Sequence, residues 1–287
     1  VVLALLPEAI IAPLVLALLI TLYWLLVESE LNSVHAMAAT LAGLTVSAVI
    51  GRFLLSSRLP GQLRQVQAVQ DADTWLGSTR SMMLIGGAHV LLNNTDSIML
   101  GMLKDAHSVG IYAVAAKSAI LVSFSLTIAN TTIAPLIPRF HSTNEHAQLQ
   151  QALDHSMRLV SVASVAVFLA VLLFGRELLA IFGPEFVEGY VALVILAAGG
   201  LVNALAGPSA NLLSLTGSER YVSRVMLAVT GLNIMLNLMF IPRWGVEGAA
   251  LATAISMMAW NVVMFVTVRR RLGLEPNGIF RRSGVTR

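Results

Sequence analysis

The stretch TDSIMLGMLKDAHSVGIYAVAAK, residues 95–117, decides the fold. Two apolar runs meet at a short polar turn, Lys104 to Gly110, and each run carries one charge: Asp96 before the turn and Lys117 after it. At ~1.5 Å rise per residue, both charges are expected roughly 10 Å below the same membrane face. A charge near the bilayer centre costs about 2.5–3.5 kcal/mol on insertion scales, so such residues face a bundle interior or a wet cavity. Asp96 and Lys117 are therefore the first candidates for a functional site.

The rest of the 287-residue chain has the same character. It is 57% apolar and only 11% charged, with a mean hydropathy of +0.81. A soluble domain carries about 25% charged residues, so this is an integral membrane protein. There is no cysteine, which excludes a disulfide, a thiolate nucleophile and a cysteine metal site. The net charge of +3 comes from arginines at helix ends and does not point to nucleic acid. Val1 opens the sequence inside an apolar run, and the chain is expected to be a fragment.

A helix needs about 20 mostly apolar residues to cross the hydrocarbon. Eight stretches meet that length: 8–27, 34–56, 80–102, 110–137, 157–174, 189–213, 222–241 and 247–268. They are too long for the ~10-residue strands of a barrel. The expected fold is an all-α, multi-pass transmembrane helical bundle. One set of connections holds Arg52, Arg58, Arg64, Arg80, Arg139, Arg158, Arg220, Arg224 and the arginines from Arg269 onward. The opposite set holds Lys104, Arg176 and Arg243 against Glu28, Glu30, Asp105, Glu177, Glu185, Glu188 and Glu247. By the positive-inside rule, both ends of the chain are expected in the cytoplasm. Two polar segments on that side, 58–79 and 139–156, can form short helices on the membrane surface.

Shifting the second span onto the eighth matches Ala36, Ala39, Thr40, Val49, Arg58 and Leu59 with Ala249, Ala252, Thr253, Val262, Arg271 and Leu272. Parallel repeats of helices are a transporter plan. On this reading, residues 1–57 are the last two helices of an N-terminal lobe and 58–79 a cytoplasmic interlobe linker. Residues 80–272 are a six-helix C-terminal lobe and 273–287 a cytoplasmic tail. The chain would be the C-terminal part of a two-lobe, twelve-helix transporter.

Three segments, in order, carry a family resemblance. Residues 95–116 supply Asp96, Leu100–Gly101, Val109–Gly110, Tyr112, Ala113, Ala115 and Ala116. Residues 178–199 read LLAIFGPEFVEGYVALVILAAG, and residues 241–256 read IPRWGVEGAALATAIS. The chain resembles the Wzx-type polysaccharide flippases of the multidrug/oligosaccharidyl-lipid/polysaccharide exporter superfamily. The resemblance implies alternating access in a bacterial inner membrane. It implies an oligosaccharide substrate linked through pyrophosphate to a polyprenol, destined for polysaccharide or lipopolysaccharide biosynthesis. Membrane lipids and other polysaccharide-assembly proteins are the implied partners, with no cofactor and no nucleic acid.

The residues themselves leave two readings open at each candidate. His89, Asn93 and Asp96 share one helical face. They can wall a cavity coupled to a proton or sodium gradient, or they can join helices. Lys117 can hold a pyrophosphate or sugar acid, or it can pair with Asp96 or snorkel to the interface. Ser123, Thr127 and Asn130, and Asn203, Asn211, Asn233 and Asn237, are further polar positions within spans. No Walker loop is present, so no ATP hydrolysis is expected on this chain. His141, His146 and His155 give only a weak metal signal, and no catalytic constellation is found. The alternatives to a flippase are a cation-coupled multidrug exporter of the same superfamily and a membrane glycan polymerase or ligase. The last would call for a long outer loop that this chain does not show.

Overall fold

A computed structural model describes residues 13–18, 21, 33–58, 94–143 and 145–277. The chain divides into two compact units, Val1–Gly77 and Ser78–Arg287. In the first unit, helix α1 spans Ser33–Arg58, and its apolar part is Met37–Phe53. Gly43 and Ser47, four residues apart on one face, are buried, whereas Met37, Leu41, Leu44 and Phe53 are exposed.

The second unit is a helical bundle. α2 (Thr95–Leu103) and α3 (Ala106–Ile133) are joined by Lys104 and Asp105 alone. Asp105 starts α3 as its N-cap, accepting the Ser108 backbone N–H at 2.7 Å. This satisfies one of the orphan donors of the first turn and holds the exposed Asp105 carboxyl below the usual carboxylate range. The short α4 (Leu136–Ser142) leads to α5 (His146–Ala180). A 3₁₀ turn at Pro184–Gly189 opens α6 (Tyr190–Ala206). α6 packs on α3, α5 and the last helix, with small residues such as Ala192, Ala197, Gly199 and Gly200 buried along it. A β-carbon at Gly199 would lie 3.2 Å from the Ala254 backbone, so α6 and the last helix approach at a distance that favours glycine. α7 (Ser209–Leu213) and a π-helical turn (Ser214–Ser218) precede α8 (Glu219–Leu272).

α8 is continuous in sequence but folded in space. Tyr221 Oη lies 3.1 Å from Thr267 Oγ1, and the Arg271 guanidinium stands 4.5 Å from the Tyr221 ring centroid. In a straight helix, residues 221 and 267 would be about 70 Å apart. The fold-back is at Gly245, whose φ of 54° and ψ of −122° break the helical path. Positive φ is cheap only for glycine. α8 thus has two antiparallel limbs.

Buried residues form two clusters. One gathers Leu100, Tyr112, Ala115, Leu193 and Ile241, and the other Ile137, Leu153, Met157, Leu212 and Met264. The end near the Gly245 turn also holds the contacts Lys104 Nζ to Pro242 O, 3.3 Å, and His107 to Glu188, 4.0 Å.

The all-α membrane bundle stands, but the eight-span and two-lobe, twelve-helix expectations are corrected. Among the described residues, eight α-helices are found, and four helical stretches are long and apolar enough to cross a membrane: Ala106–Ile133, Ala147–Ala180, Pro184–Ala206 and Ser209–Leu272. The expected spans at 222–241 and 247–268 belong to the last of these. The expected span at 189–213 is broken at Gly207, where φ is 73°. The expected span at 157–174 is part of the 35-residue α5, because residues 146–156, expected within a separate short helix on the membrane surface, continue into the same helix and bury Leu149 and Leu153 in line with Met157. Of 80–102, residues 80–93 lie outside the described residues, and 95–102 belong to the nine-residue helix Thr95–Leu103, too short to cross by itself. Most of 8–27 and residues 59–79 lie outside the described residues.

Candidate functional site

Asp96 sits in the first turn of α2, where the positive end of the helix dipole favours a carboxylate. Its depth follows from the tight turn after α2. At ~1.5 Å per residue, Asp96 lies about 12 Å below Lys104 and Tyr112 about 10 Å below Asp105, while Asn237 and Thr253 each lie about 12 Å from Gly245. Side chains from α2, α3 and both limbs of α8 therefore arrive at one level. The Thr253 hydroxyl donates to Asp96 Oδ2 at 2.6 Å, and the Tyr112 hydroxyl donates to the same oxygen at 3.0 Å. Asn237 Nδ2 donates to Oδ1 at 2.5 Å and to Asn233 Oδ1 at 3.0 Å. A carboxylate removed from water is costly unless its oxygens are hydrogen-bonded, and here three donors do that. They also tie α2 to α3 and to both limbs of α8.

Lys117 is placed differently. It lies about 18 Å below Asp105, roughly a turn and a half deeper than Tyr112. It is exposed and makes no ion pair or hydrogen bond among the described residues. The ion pair with Asp96 raised by the sequence is not formed. The turn expected over Lys104–Gly110 consists of two residues, because Asp105 caps α3 and the helix starts at Ala106. Lys117 is thereby carried past the level of Asp96, and Tyr112 takes its place.

Two cavities adjoin at Asp96. The first, about 380 Å³, is lined by Asn94, Ser97, Tyr112, Lys117 and Ser123 among others. The second, about 540 Å³, is lined by both limbs of α8 through Thr230, Asn233, Ser256, Met257 and Trp260. Asp96, Ile120, Thr253 and Met257 line both. Asp96 and Lys117 thus share a cavity without touching. His89 and Asn93 lie outside the described residues. Asn203 and Asn211 line neither cavity, nor do Thr127 and Asn130.

Tyr112 and Thr253 are the partners that sequence reasoning did not assign. Both stood in the motif segments, and the signal that would have found them is Asp105 as a cap, which fixes the depth of α3. Chemically, the Asp96 group offers oxygen ligands from a carboxylate, hydroxyls and amides, the set that suits a hard cation or a proton. The Asn237 Oδ1 atom is buried with no hydrogen-bond partner. No group of three or more His, Cys, Asp or Glu suited to a metal ion occurs among the described residues.

Residues 84–239 match the MatE family. The chain is similar to two curated proteins of Haloferax volcanii. It is 27% identical over 246 residues to "Probable low-salt glycan biosynthesis flippase Agl15", covering 84% of this chain and 50% of that protein. It is 28% identical over 175 residues to "Probable flippase AglR", covering 58% of this chain and 36% of that protein. The chain spans at most about half the length of these relatives. No solved structure matches it.

Proposed function

The chain belongs to the MatE family of membrane transporters, and on that premise we propose that it carries a polyprenyl-pyrophosphate-linked oligosaccharide from the inner to the outer leaflet of the cell membrane. It is a multi-pass membrane transporter and not an enzyme, so the glycan polymerase or ligase reading is set aside. The observation that carries the proposal is Lys117, a cation without a partner among the described residues, in a cavity at membrane depth. An unpaired charge there is expensive, and an anionic head group would neutralise it. Both curated relatives carry flippase in their names, one of them for glycan biosynthesis. The resemblance to the Wzx-type flippases supports the same substrate class.

In this reading the lipid tail stays in the bilayer while the polar head occupies the cavities, and the Asp96 group responds to a proton or cation gradient. The arginine bias puts the Lys104–Gly245 end outside and the Arg139, Arg220 and Arg269 end inside. A drug exporter is the second reading, favoured by the apolar share of the first cavity's lining, which includes Ala113, Ala116, Ile120 and Leu196.

The test is a double-mutant cycle of Lys117→Met and Asp96→Asn, scored by surface glycan, protein level and drug susceptibility. Lys117→Met is expected to cut glycan export at least about tenfold at normal protein level, with rescue by Lys117→Arg and none by Asp96→Asn. Normal glycan export in Lys117→Met, or rescue by Asp96→Asn, would overturn the reading. Normal export with raised drug susceptibility would favour the exporter.

A further inference from the structure

Resting on the substrate class just proposed, we infer that the cleft between the two limbs of α8 is a sugar subsite with the Trp260 indole as its platform, separate from the charge-binding cavity at Lys117. Two helical stripes face each other across it. Met226, Thr230 and Asn233 follow at spacings of four and three on the first limb, and Thr253, Ser256 and Trp260 at spacings of three and four on the second. Such spacings put each set on one face of its limb. The cavity, at about 540 Å³, falls within the ~300–1,000 Å³ of small-molecule sites.

The chemistry of the lining selects the occupant. The Asn233 amide accepts from Asn237 through Oδ1, which leaves its own N–H groups for a ligand. The Trp260 indole N–H has no partner among the described residues, and neither does the buried Ser256 Oγ. Buried polar atoms without partners cost free energy, so an all-hydrocarbon occupant would leave them unpaid. A phosphate is disfavoured as well. Among the described residues, the one charged side chain lining this cleft is Asp96, an anion, and none is a Lys or Arg. A neutral ligand with several hydroxyls and a C–H face fits both constraints. The C–H face stacks on an electron-rich indole, and the hydroxyls meet the amide and the serine. Because the cleft adjoins the Lys117 cavity at Asp96, the sugars nearest the pyrophosphate would occupy it while the pyrophosphate lies toward Lys117.

The test uses the purified full chain in nanodiscs with two probes, a panel of monosaccharide methyl glycosides and inorganic pyrophosphate. Trp24, Trp75 and Trp244 are replaced by Phe so that emission reports Trp260. Saturation-transfer NMR on the unsubstituted protein gives the same answer independently of those changes. At least one glycoside is expected to shift Trp260 emission saturably, with affinity weakened about tenfold by Asn233→Ala and unchanged by Lys117→Met. Pyrophosphate is expected to show the reverse pattern. Pyrophosphate binding that depends on Lys117, with no glycoside binding by either method, would overturn the subsite and leave the proposed function standing. Absence of both would remove both. Displacement of the glycoside signal by a short alkyl chain and not by other sugars would reassign the cleft to the lipid tail and overturn the inference.

Discussion

Two partly buried groups of polar side chains among the described residues contrast in how they bond. Around Asp96, the hydrogen bonds run from side chain to side chain between α2, α3 and both limbs of α8, and two cavities border them. Around Gln150, the bonds close on backbone. Gln150 donates to Glu275 O at 2.9 Å and accepts from Glu275 N at 2.9 Å, while its amide also reaches Asp154 Oδ1 at 2.7 Å. Leu274, Pro276 and Asn277 are buried beside it, so the chain after α8 is held against the start of α5. Partial burial of polar groups alone therefore does not single out a candidate site. What separates the two groups is whether the partners are exchangeable side chains beside open volume or fixed backbone in a packed seam.

The sharpest way to break that comparison is Asp96→Ala. It leaves the Tyr112, Thr253 and Asn237 donors without their acceptor, each costing about 1–3 kcal/mol if it stays unpaired. Water entering from the cavities can compensate part of that. Export, measured as surface glycan, is expected to fall at least about tenfold while protein level falls less. Normal export would make the Asp96 group as structural as the Gln150 group. The converse is Gln150→Ala, which removes both bonds to Glu275. Its unfolding midpoint is expected to drop by ~2–6 °C and proteolysis of the tail to rise, with export per folded molecule unchanged. Loss of export with an unshifted midpoint would erase the contrast from the other side.

The smallest effect concerns Asp105, which belongs to neither group. Its folded carboxyl is held below the ordinary value of 3.8, chiefly by the Ser108 backbone N–H. A lowered carboxylate pKa stabilises above the unfolded value and loses that contribution as pH falls through the folded one. Amide exchange at Ser108, corrected for its intrinsic pH dependence, should therefore rise in acid below pH 3.8 and stay flat near neutrality. A rise near neutrality would show that the cap is not what holds the start of α3.

The all-α membrane class was legible because composition alone excludes a soluble domain, and Asp96 stands out as a candidate because a carboxylate in an apolar run has few uses. Span counting failed where apolar runs are a poor guide to chain path. The amphipathic start of α5 buries Leu149, Leu153 and Met157 on one face, and its polar other face suggests a separate surface helix where the chain continues straight into the span. In α8, the gap left between 222–241 and 247–268 falls on the reversal made within IPRWGVEG by Pro242 and Gly245, but no polar linker separates the limbs and the helix runs on from Glu219 to Leu272. The site was half visible. Asn233 and Asn237 stood out as amides within a span, whereas Tyr112 and Thr253 needed the depth that the Asp105 cap imposes. Lys117 was placed one and a half turns too shallow by a turn drawn five residues too long.

The tightness of the Gly245 reversal has a consequence for biogenesis. With almost no linker between them, the two limbs of α8 emerge from the ribosome in immediate succession and can enter the bilayer as a pre-paired hairpin. Asn233, Asn237, Thr253 and Ser256 would be awkward cargo for either limb inserting alone, since each would meet lipid with a polar group. Entering together, the limbs shield these groups from the first moment. The turn glycine would thus govern the yield of inserted protein before it governs anything the finished transporter does.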